Sequence, residues 1–270
     1  MTAVGEAVLR KEDARLLHGG GQYVDNLAAT GMVYAYVVRS PYAHAVLKSV
    51  DVSAAREAPG VVAAFTGADL ADAWPNGLPC FWPVSDDIKM VKHLPLATDK
   101  ARFAGDGVAV VVAQSRAEAK DAAELVDVAY EALPAVTDVE EAIADGAPVV
   151  HDDAPGNRAY MWSLVTGDPD KIFGDAAVTV KQRYRQQRLI PTAMEPRGAL
   201  CEVNAAGDVT IWTATQGPHI MRTAYTLVLG IPEAKVRVIA PDVGGGFGSK
   251  LNVYAEEALM AFIAGSSTCR

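Results

Sequence analysis

Residues 108–136 read VAVVVAQSRAEAKDAAELVDVAYEALPAV, and three patterns in this stretch set the fold class. The run at 108–113 is continuously apolar but far shorter than the roughly 18 residues a membrane-crossing helix needs, so it reads as a buried strand. Ser115 then stands where a helix cap belongs, and Glu118 three residues on completes a capping-box pattern at the positive end of the helix dipole. Residues 116–126 carry alanines, charges and leucine at helical spacing. From 126 the chain alternates as a strand again until Pro134 stops it. A strand, a helix and a strand in such close order show that strands and helices mix, which an α+β fold accommodates.

Working outward, VYAYVV at 33–38 is a strand that breaks at Ser40-Pro41, because proline biases its predecessor to extended geometry and lacks a donor of its own. Further strands are expected at 46–52 and 61–66. Beyond Pro134, residues 137–157 are rich in Asp, Ala, Gly and Pro, which marks a boundary between two domains. The second part predicts alternating strands at 177–184, 199–203, 209–214 and 236–240, a helix over 218–229, and another in VYAEEALMAFIA at 253–264. No internal repeat appears.

Composition bounds the function. A chain of 270 residues, half of them hydrophobic, can bury a substantial core. Its net charge of -9 opposes non-specific binding to nucleic acid or an anionic membrane, which both need a basic face. The three cysteines, Cys80, Cys201 and Cys269, are too few and too scattered for a disulfide framework or a four-thiolate metal site, which fits a reducing cytoplasm. The opening MTAVGEAVLRKEDAR is broken by charges where a secretory signal would be continuously apolar.

The candidate chemistry begins at Gly244-Gly245-Gly246-Phe247-Gly248-Ser249-Lys250, between the strand VRVIA and the last helix. Such glycines let backbone N–H groups approach an anion or a cofactor oxygen without side-chain obstruction. A glycine turn joining strand to helix is the alternative. The loop is not a P-loop, because Ser249 precedes Lys250, and it misses G-x-G-x-x-G because Ser249 holds the sixth position. Gln216-Gly217-Pro218-His219 follows the strand VTIWTAT and would project a carboxamide that can serve a site without adding charge; a backbone-satisfying turn role is the plainer reading, with His219 packing at the helix start. In Met194-Glu195-Pro196-Arg197-Gly198 the acid and the arginine predict a buried ion pair organising a turn. Arg39-Ser40-Pro41-Tyr42-Ala43-His44-Ala45 predicts a structural or interdomain contact, since no second acid, base or nucleophile accompanies it. HExxH, G-x-S-x-G and CxxC are all absent from the sequence, so any redox chemistry belongs to a cofactor.

Taken in order, RKEDARLLHGGGQYVDN, RSPYAHA, FTGADL, ARFAGDGVAVVVA, AAELVDVAYEALPAV, LIPTAMEPRGAL, TATQGPHIMR, LGIPEAKVRVIAPDVGGGFGSK and YAEEAL resemble the large subunits of molybdenum hydroxylases of the xanthine dehydrogenase and aerobic carbon monoxide dehydrogenase family. Each piece is weak, but the ordered set is specific and runs from about Arg10 to about Gly265. The resemblance implies an N-terminal arm over 1–17, an α/β hammerhead domain over 18–134, a linker over 135–160 and the first part of a molybdopterin-binding domain over 161–270. It implies a molybdenum-molybdopterin cofactor, in bacterial members usually the cytosine dinucleotide form. Water would be the oxygen source, and electrons would pass to a 2Fe-2S small subunit and a FAD-binding medium subunit.

By motif match, Gln216 resembles the glutamine near the molybdenum's oxygen ligands. Gly245, Gly246, Phe247 and Gly248 resemble the loop whose backbone faces the apical oxo group. No direct metal ligand is implied, and no catalytic residue in this chain, because the family's general-base glutamate and substrate-selecting loop are expected beyond residue 270. Neither Glu256 nor Glu257 takes that role. Asp106-Gly107 stands where the family commonly has Glu-Pro. The ending Ser266-Ser267-Thr268-Cys269-Arg270 departs from the family pattern as an interrupted reading frame would. The chain alone is therefore expected to be inactive. The alternative functions are a folded assembly or interaction module and, from the glycine loop alone, an ordinary nucleotide-binding dehydrogenase. The failed spacing and the lack of an acid about 20 residues after the loop oppose the last.

Overall fold

A computed structural model describes residues 4–74, 77–79 and 85–266. Among the described residues, nine strands form three small sheets: β1 (Tyr34–Arg39), β2 (Ala45–Asp51), β3 (Val61–Thr66), β4 (Lys100–Ala101), β5 (Gly107–Ala113), β6 (Asp127–Ala132), β7 (Ala199–Val203), β8 (Val209–Thr213) and β9 (Val236–Ile239). Their orders are β1-β5-β3, β4-β2-β6 and β7-β8-β9, antiparallel except for the parallel pair β8 and β9. Three helices matter most here: α1 (Arg116–Ala123), α2 (Pro218–Leu229) and α3 (Ala255–Gly265).

The strand that opened the sequence reading, β5, lies in the middle of its sheet with all seven residues buried. Alternate side chains face opposite ways along a strand, so its two faces enter different cores. Ala109 and Val111 pack with Val52, Ala55 and the α1 residues Ala122 and Ala123. Val110 and Val112 join Trp74 and Leu96, and the same cluster continues into Ile211, Met221, Tyr225, Leu259 and Ile263 of the second sheet region. Trp74 lies 5.3 Å, ring to ring, from Phe262 of α3. One hydrophobic core therefore joins residues from both halves of the chain.

Helix ends follow their caps. Ser115 accepts the N–H of Glu118 at the start of α1. Pro218 stands in the first turn of α2, and Gly230, in the left-handed conformation at φ 66°, ends it. The interdomain contact expected of the 39–45 segment forms: Arg39 bonds Gly105 O at 3.0 Å and pairs with Glu256 of α3, while Ser40 N donates to Asp106 O at 2.8 Å.

The strand expected at 177–184 does not form. Residues 176–198 lack regular structure, and Val178, Val180 and Tyr184 are 80%, 81% and 86% exposed. Their period-2 alternation suits a strand, but a strand needs a ladder, and none of the described residues supplies one. The exposed apolar run extends on either side, through Trp162, Leu164, Ile172, Phe173, Leu189 and Ile190. Cys80, Cys269 and the ending at 267–270 lie outside the described residues.

Two outcomes are expected from this packing. Val110→Ala, which empties space at the join of the two halves, should cost about 2 kcal/mol and lower the thermal midpoint by roughly 4–8 °C. Val178→Lys with Val180→Lys should leave that midpoint unchanged and reduce light scattering on warming, because exposed alternating apolar residues template strand pairing between chains. Equal scattering from the double variant and the parent would show that the segment is not the aggregating surface.

Candidate functional site

Parallel pairing of β8 and β9, with Trp212 opposite Ile239, brings the turns that follow both strands to one edge of the sheet. Gln216 occupies the first turn and residues 244–250 the second. The Gln216 side-chain oxygen accepts the N–H groups of Gly248 at 2.9 Å and Lys250 at 3.3 Å. Both neighbours are donors, so the oxygen must face them and Nε2 is left as the free end of the carboxamide. Gln216 N also donates to Lys250 O at 2.9 Å, and the buried Thr215 hydroxyl donates to the same carbonyl at 3.0 Å.

The glycines are required by contact as well as by conformation. A Cβ on Gly246 would lie 2.5 Å from the Gln216 side chain, and one on Gly244 would lie 2.5 Å from Glu195 Cβ. Gly245 and Gly248 have φ of 99° and 87°, where L side chains are strained. Phe247 adopts φ 51° and is 74% exposed. Among the described residues, the N–H groups of Gly245, Gly246 and Phe247 donate to no protein acceptor, whereas those of Gly244, Gly248, Ser249 and Lys250 are all engaged. Three successive donors thus stay free beside the Gln216 amide.

Lys250 turns inward from the loop. Its side chain is 1% exposed, and Nζ donates to Glu195 O at 2.9 Å and Glu195 Oε2 at 3.0 Å. The expected pairing of Glu195 with Arg197 is therefore replaced. A fully desolvated ammonium gains more from the carboxylate than an exposed guanidinium does, and Arg197 instead stacks 3.4 Å over the Tyr254 ring. Removing one partner of such a pair leaves a buried charge uncompensated, at a cost on the order of 3–5 kcal/mol.

Other anchors were not legible in the spacing. Asp242, just ahead of the loop, accepts both Arg15 guanidinium nitrogens at 2.7 Å and Gln22 N at 2.7 Å, and the Arg15 hydrogen bonds hold its carboxyl well below the usual range. Residues 15–22 are thereby tied to the site. His219 sits exposed in the first turn of α2. A cleft of about 950 Å³ lies behind the loop, between β1 with α1 and the 190–199 segment; it reaches Ser249 and Lys250 but neither Gln216 nor Phe247. Among the described residues, no group of three or more His, Cys, Asp or Glu could hold a metal ion, and no helix is long and apolar enough to cross a membrane.

Glu256 and Glu257 are both spoken for. Burial works against ionisation of Glu256, but the Arg39 guanidinium outweighs it and the carboxyl titrates below its ordinary range. Glu257 is buried and accepts from Thr213 Oγ1 at 2.9 Å, Tyr225 OH at 3.1 Å and Tyr254 N at 3.1 Å. Burial nonetheless raises its pKa. Thr213 Oγ1 also lies 3.2 Å from Gly198 O, so its single hydroxyl proton is shared between that carbonyl and Glu257 Oε1. A carboxyl whose pKa is raised by folding adds stability below its unfolded value, and that stability is lost as pH rises through the folded value. Glu257→Gln should therefore match the parent in thermal midpoint near pH 4 and exceed it by about 2–4 °C at pH 8, the equivalent of about 1 kcal/mol. A variant less stable at pH 8 would show that the ionised carboxylate is the favoured form.

Comparison with known proteins identifies the two domains. Residues 18–134 match the aldehyde oxidase and xanthine dehydrogenase a/b hammerhead domain, and residues 150–268 match the molybdopterin cofactor-binding domain. The chain is 39% identical over 258 residues to the nicotine 6-hydroxylase large subunit of Paenarthrobacter nicotinovorans, covering 95% of this chain and 31% of that protein. It is 36% identical over 260 residues to the carbon monoxide dehydrogenase large chain of Hydrogenophaga pseudoflava, covering 90% of this chain and 31% of that one. The fold superimposes on quinoline 2-oxidoreductase from Pseudomonas putida 86 with a TM-score of 0.88 at 38% identity, over 97% of this chain and 33% of the other. The chain thus spans about a third of the length of these relatives. With both domains matched in order, the chain belongs to the molybdenum hydroxylase large-subunit family of xanthine and carbon monoxide dehydrogenases.

Proposed function

We propose that this chain supplies part of the cofactor pocket in the large subunit of a molybdenum hydroxylase. Such a subunit would oxidise a small substrate with water as the oxygen source and pass electrons to 2Fe-2S and FAD-binding partner subunits. The observation that carries this reading is the row of three unengaged N–H donors at Gly245, Gly246 and Phe247 beside the free amide of Gln216. These residues fit the electron-rich edge of a molybdenum-pterin cofactor, because the glycines clear the approach and the donors are neutral. The cytosine dinucleotide form of that cofactor is part of the proposal.

When bound, the cofactor supplies the two-electron oxidation that no side chain here can perform. The protein's share is orientation and charge stabilisation. Gln216 donates through Nε2, since its oxygen is committed to the loop, and the loop N–H groups add dipoles whose positions are set before substrate arrives. The general base is proposed to be a glutamate beyond residue 270. A second reading, an assembly module without activity of its own, draws on the exposed apolar residues between Met161 and Ile190, which suit burial against further protein.

The test is molybdenum and pterin content. The isolated 270-residue chain is expected to carry neither in stoichiometric amount. A full-length large subunit containing this segment, expressed with its partners, is expected to carry both. In that subunit Gly246→Ala should push Gln216 aside and deplete molybdenum, and Gln216→Ala should lower turnover by about 10²-fold, the usual cost of one preorganised donor. Full loading and undiminished turnover in both variants would remove the loop from the cofactor site.

A further inference from the structure

The proposed function uses Gln216 and the loop backbone, yet gives no reason for the lysine that closes the loop. A lysine ending a glycine-rich loop commonly reaches out to an anion. Lys250 does the opposite, because its ammonium is spent on Glu195. Glu195 Oε2, which receives it, also accepts the N–H of Gly244 at 2.7 Å, and Glu195 N donates to Gly244 O at 3.2 Å. At the other end, the Lys250 backbone is joined to Gln216 by two hydrogen bonds and to Thr215 by one. A single buried ion pair therefore touches both ends of the glycine loop and, through the Lys250 backbone, Gln216.

We propose that Lys250 and Glu195 are positioning residues that clamp the loop shut at its base. The clamp keeps Gly245, Gly246 and Phe247 out of protein hydrogen bonds and fixes the Gln216 carboxamide with Nε2 outward. Neither side chain touches the cofactor. Lys250 is needed because Glu195, 12% exposed, would otherwise be a buried acid with no cation beside it, and Gly244 depends on its oxygen. The lysine that ends the glycine loop is thus a structural counter-ion. The link to Gln216 presentation rests on the cofactor reading above, but the clamp itself does not.

Amide hydrogen exchange on the 270-residue chain separates the two. Lys250→Met is expected to speed exchange at Gly244, Gly248 and position 250 by about tenfold more than at the amides of β5 and α2. Loop exchange at the parent rate, with β5 protected, would overturn the clamp. If β5 protection is lost as well, Glu195→Gln decides: it keeps an oxygen for Gly244 but drops the charge, so a smaller loop acceleration with an intact β5 supports the clamp, and the parent rate overturns it. In a loaded full-length large subunit, Lys250→Met should lower kcat with KM unchanged. A pair that merely held the fold together would lower the thermal midpoint and leave kcat of the folded enzyme intact, which would overturn the positioning role. Failure of Gly246→Ala to deplete molybdenum would sink the cofactor reading and leave the clamp standing.

Discussion

A strand with every residue buried needs cover on both faces, and that constraint on β5 organises the chain. Small residues face α1, where Ala109 and Val111 meet Ala122 and Ala123 and let helix and sheet approach closely. The opposite face, with Val110 and Val112, joins a core that holds Trp74 and Leu96 of the same region and continues into Tyr225 of α2 and Leu259 and Ile263 of α3. The Arg39 and Glu256 ion pair adds orientation at the rim of this join, where solvent screening limits what it contributes to stability.

The position of the site follows from that join. With α3 packed against β7 and β8, and α2 against β9, the parallel pair β8 and β9 delivers its two following turns side by side. The loop then meets Gln216 so closely that a methyl group at Gly246 would not fit. Polar groups under the loop engage one another: Glu195 Oε2 with Lys250 and Gly244, Thr215 with Lys250, and Tyr254 OH with Ser249 O at 2.6 Å, while Glu195 Oε1 is buried without a partner. What is left over on the outer side is a set of neutral donors without acceptors, the complement of an electron-rich ligand.

The segment from Met161 to Ile190 shows the converse situation. Val178, Val180 and Tyr184 alternate as a strand should, yet side-chain pattern is only half of what makes a strand; the other half is a neighbouring backbone offering donors and acceptors. Relatives three times as long have more chain with which to cover such a surface. Here the side chains remain in solvent, consistent with a segment shaped for contacts that the described residues do not provide.

Local pattern determined much of this protein by itself. The apolar run at 108–113, the Ser115 cap, the Pro134 stop and the Pro218 and Gly230 brackets of α2 each act within a few residues, so their elements stand where the sequence alone implied. The ordered motifs likewise identified the family, because glycine spacing and flanking strands are one-dimensional features. Tertiary structure decided what depends on distant partners. It exchanged Arg197 for Lys250 as the partner of Glu195, since burial, invisible in spacing, sets which cation needs the carboxylate. It tied Arg15 to Asp242 across the length of the chain. It also left 177–184 without a sheet, because a strand's hydrogen bonds are made by another segment and not by its own residues.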